Sequence, residues 1–208
     1  MDRPIHLQLL SILLITISIL AADKAVAAYT FTTINEPLSD RSYGTVVFGV
    51  DGSNVVGGYG DRNGNNHGFL YNGSTYTTLD DPLGAYGTTA SGISGGTIVG
   101  FYNDSGNNRH GFQYIGGVYT VLDDPSADYS SPGRGTQPNS ISGSNVVGQY
   151  YDNLGRNHGF LYNGSTFTTI DDPLGIRSVV SGMDDNTLAG TFSDHSLNLH
   201  GFIYDGIS

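Results

Sequence analysis

Apolar and polar positions alternate along the chain in short runs, each closed by glycine, asparagine, or an acidic pair with proline. Alternation with period two marks half-buried β-strands. Residues 88–122 show it well. Residues 88–94 predict a first strand, closed by a Ser94-Gly95-Gly96 turn, and residues 97–103 a second, ending in a polar loop. Residues 110–115 predict a third, closed by Gly116-Gly117, and residues 118–122 a fourth, stopped by Asp123-Asp124-Pro125. β-Branched and aromatic residues fill the runs, and proline stays at their ends. In two other units the third and fourth runs are joined through Asn72-Gly73 and Asn163-Gly164, a strong hairpin signal.

The whole pattern recurs. His-Gly-Phe begins at His67, His110, His158 and His200, with spacings of 43, 48 and 42. Val55-Val56-Gly57, Ile98-Val99-Gly100, Val146-Val147-Gly148 and Leu188-Ala189-Gly190 move in step with it. Aromatic-Thr runs at Phe31, Tyr76, Tyr119 and Phe167 form a third landmark, followed by Asn35-Glu36-Pro37 in the first copy and Asp-Asp-Pro in the others. Four antiparallel strands in about 45 residues make a propeller blade. Residues 30–34 read as a fourth strand with no first three before it, and residues 200–205 as a third strand with no fourth after it. The sequence therefore predicts an all-β protein, a β-propeller of four four-stranded blades, the last closed by the N-terminal strand. The alternative is a fragment of a larger propeller-like array. A β-solenoid fits less well, because its repeat is usually shorter.

His-Gly-Phe-Leu-Tyr-Asn-Gly, followed by Tyr-Thr-Thr-Leu-Asp-Asp-Pro, then an Ile-Ser turn and Ile-Val-Gly, resembles the bacterial exported proteins built from HAF-type extracellular repeats. The namesake triplet there is His-Ala-Phe; here it is His-Gly-Phe in all four copies. The resemblance covers the chain after residue 28 and implies an exported, propeller-like bacterial protein. It implies no catalytic residue set. Longer members carry more repeats, which keeps the fragment alternative open.

Residues 1–28 read as a secretory signal peptide and residues 29–208 as the four-repeat domain. Arg3 precedes an apolar run over residues 7–20, and both Ala25-Val26-Ala27 and Val26-Ala27-Ala28 fit small-x-small cleavage. The run is short for a membrane span, which needs about 20 residues, so no membrane insertion is expected after cleavage. The expected location is secreted or periplasmic. All 31 glycines lie after the signal; each would cost a helix about 1 kcal/mol relative to alanine, which argues against a helical domain. Fourteen Tyr and nine Phe argue against disorder. The net charge of −11 repels nucleic acid and anionic lipid. The absence of cysteine excludes disulfides and thiolate metal sites.

In a propeller the loops after the second and fourth strands share one face, here called the top. Most of the acidic residues and all the arginines after the signal map there, so the top is the expected ligand face. Each second loop holds an Asp six residues before the blade histidine: Asp61 and His67, Asp104 and His110, Asp152 and His158, Asp194 and His200. Such a carboxylate–imidazole pair could orient a sugar or bind a metal; it could equally be a loop Asp taking backbone N–H bonds beside a structural His. Asp80, Asp81, Asp123, Asp124, Asp171 and Asp172 are candidate calcium ligands, since calcium takes several oxygens, although an acidic pair before proline also forms turns. The loop before the third blade is the longest: Pro125 to Ile141 spans 16 positions against 11 from Pro82 to Ile93. It carries Tyr129 and Arg134, candidate contact residues. The fourth unit has Leu197 where a loop glycine is expected. No nucleophile elbow, phosphate loop or HExxH motif is present. These features favour an exported non-enzymatic module binding a glycan or an extracellular protein, with no cofactor unless calcium. The alternative is a polysaccharide hydrolase or lyase using acidic residues on the top face.

Overall fold

The computed structural model describes residues 30–40, 42 and 44–206. The signal peptide expected at residues 1–28 lies outside them. Among the described residues no helix is long and apolar enough to cross a membrane.

Residues 34–206 build a four-bladed β-propeller. Blade 1 comprises β1 (Thr45–Asp51), β2 (Asn54–Gly60), β3 (Asn66–Tyr71) and β4 (Tyr76–Leu79). Blade 2 comprises β5 (Thr88–Ser94), β6 (Thr97–Asn103), β7 (Arg109–Ile115) and β8 (Val118–Val121). Blade 3 comprises β9 (Thr136–Ser142), β10 (Asn145–Tyr151), β11 (Asn157–Tyr162) and β12 (Phe167–Ile170). Blade 4 comprises β13 (Arg177–Asp184), β14 (Thr187–Ser193) and β15 (Leu199–Tyr204). Within each sheet the strands lie in chain order and pair antiparallel. The expected strand bounds of blade 2 hold to within one residue.

The last blade differs from expectation. Its sheet has three strands, and residues 30–34 belong to none. Phe31 is fully exposed. In blades 1–3 the outer strand pairs over only four residues and is delivered by a tight turn from its neighbour. An outer strand drawn from the far end of the chain would have to offset a long loop closure with equally few hydrogen bonds.

The turns explain the local signals. Gly116 and Gly117 both take positive φ, 56° and 97°, and close a two-residue hairpin. The Asn-Gly sequences act otherwise. Asn72 accepts the N–H groups of Ser74 and Thr75 on its side-chain oxygen, and Asn163 those of Ser165 and Thr166, so each caps a longer loop.

Alternate faces of neighbouring sheets pack together. Val56 and Leu79 of blade 1 meet Ala90, Ile93, Ile98, Tyr102 and Phe112 of blade 2. Val99 and Leu122 meet Ile141, Val146, Tyr150 and Phe160 of blade 3. Val147, Leu161 and Ile170 meet Val180 and Leu188 of blade 4. The landmark glycine and the phenylalanine of His-Gly-Phe belong to this packing. A Cβ on Gly100 would strike the Thr89 carbonyl and come within 2.9 Å of the Phe112 ring. Gly57, Gly148 and Gly190 are hemmed in the same way.

Every first strand carries a bulge, at Phe48, Ser91, Asn139 and Ser181. A bulge turns one extra side chain out of the ladder. All four extra residues line a central channel of about 630 Å³, together with Val46, Thr89, Gln137 and Val179 from the same strands.

Candidate functional site

The loop after each second strand is organised by its aspartate. One carboxylate oxygen of Asp61 accepts the N–H groups of Asn63 and Asn65, both at 2.8 Å. Asp104 does this for Gly106 and Asn108, Asp152 for Leu154 and Arg156, and Asp194 for Ser196 and Asn198. These donors stabilise the ionised acid. The Asn65 backbone N–H leads in holding the Asp61 pKa down to about 2. Burial opposes the same effect at Asp104 and Asp152 but is outweighed by loop N–H donors and the histidine. The Asn198 side chain and N–H hold Asp194 well below the usual carboxylate range.

The other oxygen of each loop aspartate faces the blade histidine. The Nε2 distances are 3.5 Å for His67–Asp61, 3.4 Å for His110–Asp104, 3.3 Å for His158–Asp152 and 3.2 Å for His200–Asp194. Strand pairing then brings in a group 13 residues on. Nδ1 of His67 lies 2.9 Å from Asp80, that of His110 2.7 Å from Asp123, and that of His158 2.6 Å from Asp171. Each imidazole stacks on the aromatic ring of the second strand: Tyr59, Tyr102, Tyr150 or Phe192, at 4.9–5.2 Å between centroids. The unit is thus a carboxylate–imidazole–carboxylate row on an aromatic floor. Blade 4 has half of it: among the described residues its sheet has three strands, and none supplies the second acid. Burial disfavours the charged form of His158, but hydrogen bonds to Asp171 and Asp152 prevail and raise its pKa.

The structure separates the residues of each acidic pair. Asp80, Asp123 and Asp171 serve the histidines. Asp81, Asp124 and Asp172 turn the other way and accept the N–H of Leu83, Ser126 and Leu174. Their own N–H groups donate to Thr88, Thr136 and Ser178 hydroxyls. Glu36 performs this task ahead of blade 1, on Leu38 and Thr45. Asp81 and Asp124 are 6% and 3% exposed, and that burial raises their pKa. The six candidate calcium ligands therefore do not converge in pairs. Among the described residues no three metal-ligating side chains gather as a site.

Tyr129 and Arg134 are engaged within the fold. The Tyr129 ring stacks on the second face of His110, at 4.6 Å and 7° between planes, and its hydroxyl meets Thr136 at 3.0 Å. Arg134 pairs with Asp128 at 2.6 Å and donates to the Asn153 carbonyl. The long loop thus covers the His110 row and joins blades 2 and 3. The loop position that takes positive φ is Gly64, Asn107, Gly155 and Leu197 in turn. In blade 2 the position falls on Asn107 and not on the neighbouring Gly106; asparagine tolerates the conformation.

A cleft opens above the blade 1 row. It has a volume of about 650 Å³ and is lined by Pro37, Leu38, Ser39, Arg62, Asn63 and Thr78, with Asp61, His67 and Asp80 of the row. Tyr59 and His67 border both this cleft and the central channel.

The sequence reading missed the channel wall. Gln137 accepts from Arg109 at 2.8 Å and from Gln149 at 3.2 Å, and Asn139 donates to the Val180 carbonyl at 2.8 Å. The Arg109 guanidinium lies over the Phe101 ring at 5.5 Å. Gln137-Pro138-Asn139, amides within a first-strand run, was the available signal.

Scans against family models and curated proteins find no match. Among solved structures, a mutant of the Aleuria aurantia lectin in complex with alpha-methyl-L-fucoside is similar at 14% identity, over 78% of this chain, with a TM-score of 0.48. The chain spans 57% of that lectin's length. The fucose-specific lectin of the same organism aligns over 79% of this chain and 75% of its own, at 14% identity and a TM-score of 0.33. A further structure of that lectin, described as a six-bladed β-propeller, aligns over the same shares at 15% identity and a TM-score of 0.32.

Proposed function

We propose that the protein is an exported, non-enzymatic binding module for neutral glycans, with its main site in the blade 1 cleft. The observation that carries this reading is the composition of that cleft. Arg62, Asn63, Ser39 and Thr78 offer hydrogen-bond donors, Asp61 and Asp80 offer acceptors, and Pro37 and Leu38 offer apolar surface. A sugar ring presents hydroxyl edges and C–H faces to such a mixture. The net charge of −11 disfavours anionic glycans. The rows of the other blades offer weaker repeated contacts, through which a multivalent glycan gains avidity.

The acid chemistry supports binding over hydrolysis. A glycosidase needs one carboxyl kept protonated beside the scissile bond. Asp61, Asp104 and Asp152 are instead held ionised. Asp81 and Asp124, whose pKa values are raised, lie buried beneath turns.

The test is a glycan array followed by calorimetric titration. Neutral methyl glycosides, alpha-methyl-L-fucoside among them, are the probes. Binding of a neutral glycan that Arg62→Ala weakens about tenfold is expected, the loss of roughly 1.4 kcal/mol. No binding to any neutral glycan at millimolar concentration, or turnover of a bound polysaccharide, overturns the reading.

A further inference from the structure

Four blades arranged around one axis can form four interfaces between neighbours, and among the described residues three are filled. The faces left over are the leading face of blade 1 and the trailing face of blade 4. Both carry the residue types that pack inside the other interfaces. On blade 1, Val47 occupies the register position of Ala90 and Val180, and Val50 that of Ile93, Ile141 and Met183. Ala90 and Val180 are fully buried, whereas Val47 and Val50 are 46% and 67% exposed. On blade 4, Ile203 occupies the position of Leu161, which is 9% exposed; Ile203 is 78% exposed. Leu199 stands, also exposed, where blades 1–3 have Asn66, Arg109 and Asn157. The trailing face of blade 4 thus carries Leu199 and Ile203 in the open, with Ala189 where blades 1–3 have Val56, Val99 and Val147.

We infer that the trailing face of blade 4 docks on the leading face of blade 1 of a second copy of this chain. The argument is continuity with the interfaces already formed. Leu161 and Met183 pack in one cluster between blades 3 and 4. Ile203 and Val50 are the same two positions, one at each open end. The contact is head-to-tail, so each molecule offers one donor and one acceptor face, and two such contacts close a pair about a two-fold axis. Docking also shelters β15, whose outer edge has no partner strand among the described residues, a feature that otherwise invites indiscriminate pairing.

The chain has no cysteine, so cross-linking reports the contact cleanly. Light scattering of the purified protein at micromolar concentration is expected to give the mass of two copies. Ile203→Asp and Val50→Asp are each expected to halve it while the circular dichroism of the folded blades is retained, since both side chains are exposed within one copy. A mixture of Val50→Cys protein and Ile203→Cys protein is expected to form a mixed disulfide-linked pair on oxidation. A single-copy mass throughout the micromolar range overturns the inference. So does a Val50→Cys/Ile203→Cys double variant that oxidises only within one chain, which would mean that the molecule closes on itself.

Discussion

At the residue scale the histidine rows set the response to pH. The His158 pKa is raised from 6.5, so its pairing stabilises the fold fully below that value and is lost as pH rises through the raised one. Asp61, Asp104, Asp152 and Asp194 are lowered from 3.8, so their contribution is present above that value and lost as pH falls through the lowered ones. Asp81 and Asp124 act in the opposite sense, because their burial disfavours the ionised form. The row groups together place maximal stability between about pH 4 and 6.5. Melting temperatures measured from pH 3 to 8 check this, and a steady rise from pH 6 to 8 contradicts it. Leu197 gives a second outcome at this scale. It holds φ at 65° while 69% exposed, which costs a non-glycine residue about 1–2 kcal/mol. Leu197→Gly is expected to raise stability by about 1 kcal/mol in urea unfolding; a loss means that its side chain packs. The six-residue spacing from Asp to His was legible in the sequence because both ends lie in one loop. The third member, Asp171 for His158, was not, because it arrives through the register of β11 with β12.

At the element scale the alternation and the turn residues specify the strands, and the landmark glycines specify how the strands stack. Gly100→Ala pushes a methyl group into the Thr89 carbonyl and the Phe112 ring, and overpacking of this kind costs about 1–3 kcal/mol or more. Urea unfolding is expected to show at least that loss, whereas Gly95→Ala, with open space around its Cβ position but φ of 56°, is expected to lose less. Equal losses contradict the close-packing account. Strand bounds were readable because Gly, Pro and Asn-Gly punctuate them. The bulges at Phe48, Ser91, Asn139 and Ser181 were not, since one extra residue leaves no fixed mark in an alternating run. The channel wall was marked only by the amides of Gln137-Pro138-Asn139 within a first-strand run. The expected closing strand over residues 30–34 failed on a different count: its pattern matched, but pattern alone does not supply the turn that delivers β4, β8 and β12.

At the scale of the whole molecule, repetition gives every blade the aspartate–histidine pair, and the differences between blades assign the roles. Blade 2 has its histidine covered by Tyr129. Among the described residues blade 4 lacks the second acid. Blade 1 opens onto the roomy cleft with Arg62 and Asn63 at its edge. The top-face placement of the acidic and basic residues was visible in the sequence; the choice of blade 1 was not, because it depends on the turn at Glu36 and Pro37 forming one wall. The most direct measurement is calorimetric titration of the array-selected neutral glycan into the wild-type protein, Arg62→Ala and Ser74→Ala. Ser74 lies in the turn between β3 and β4, on the opposite face. The account predicts about tenfold weaker binding for Arg62→Ala and unchanged binding for Ser74→Ala. Equal affinity for Arg62→Ala and wild type, with a loss at Ser74→Ala, would contradict it and move the site to the other face.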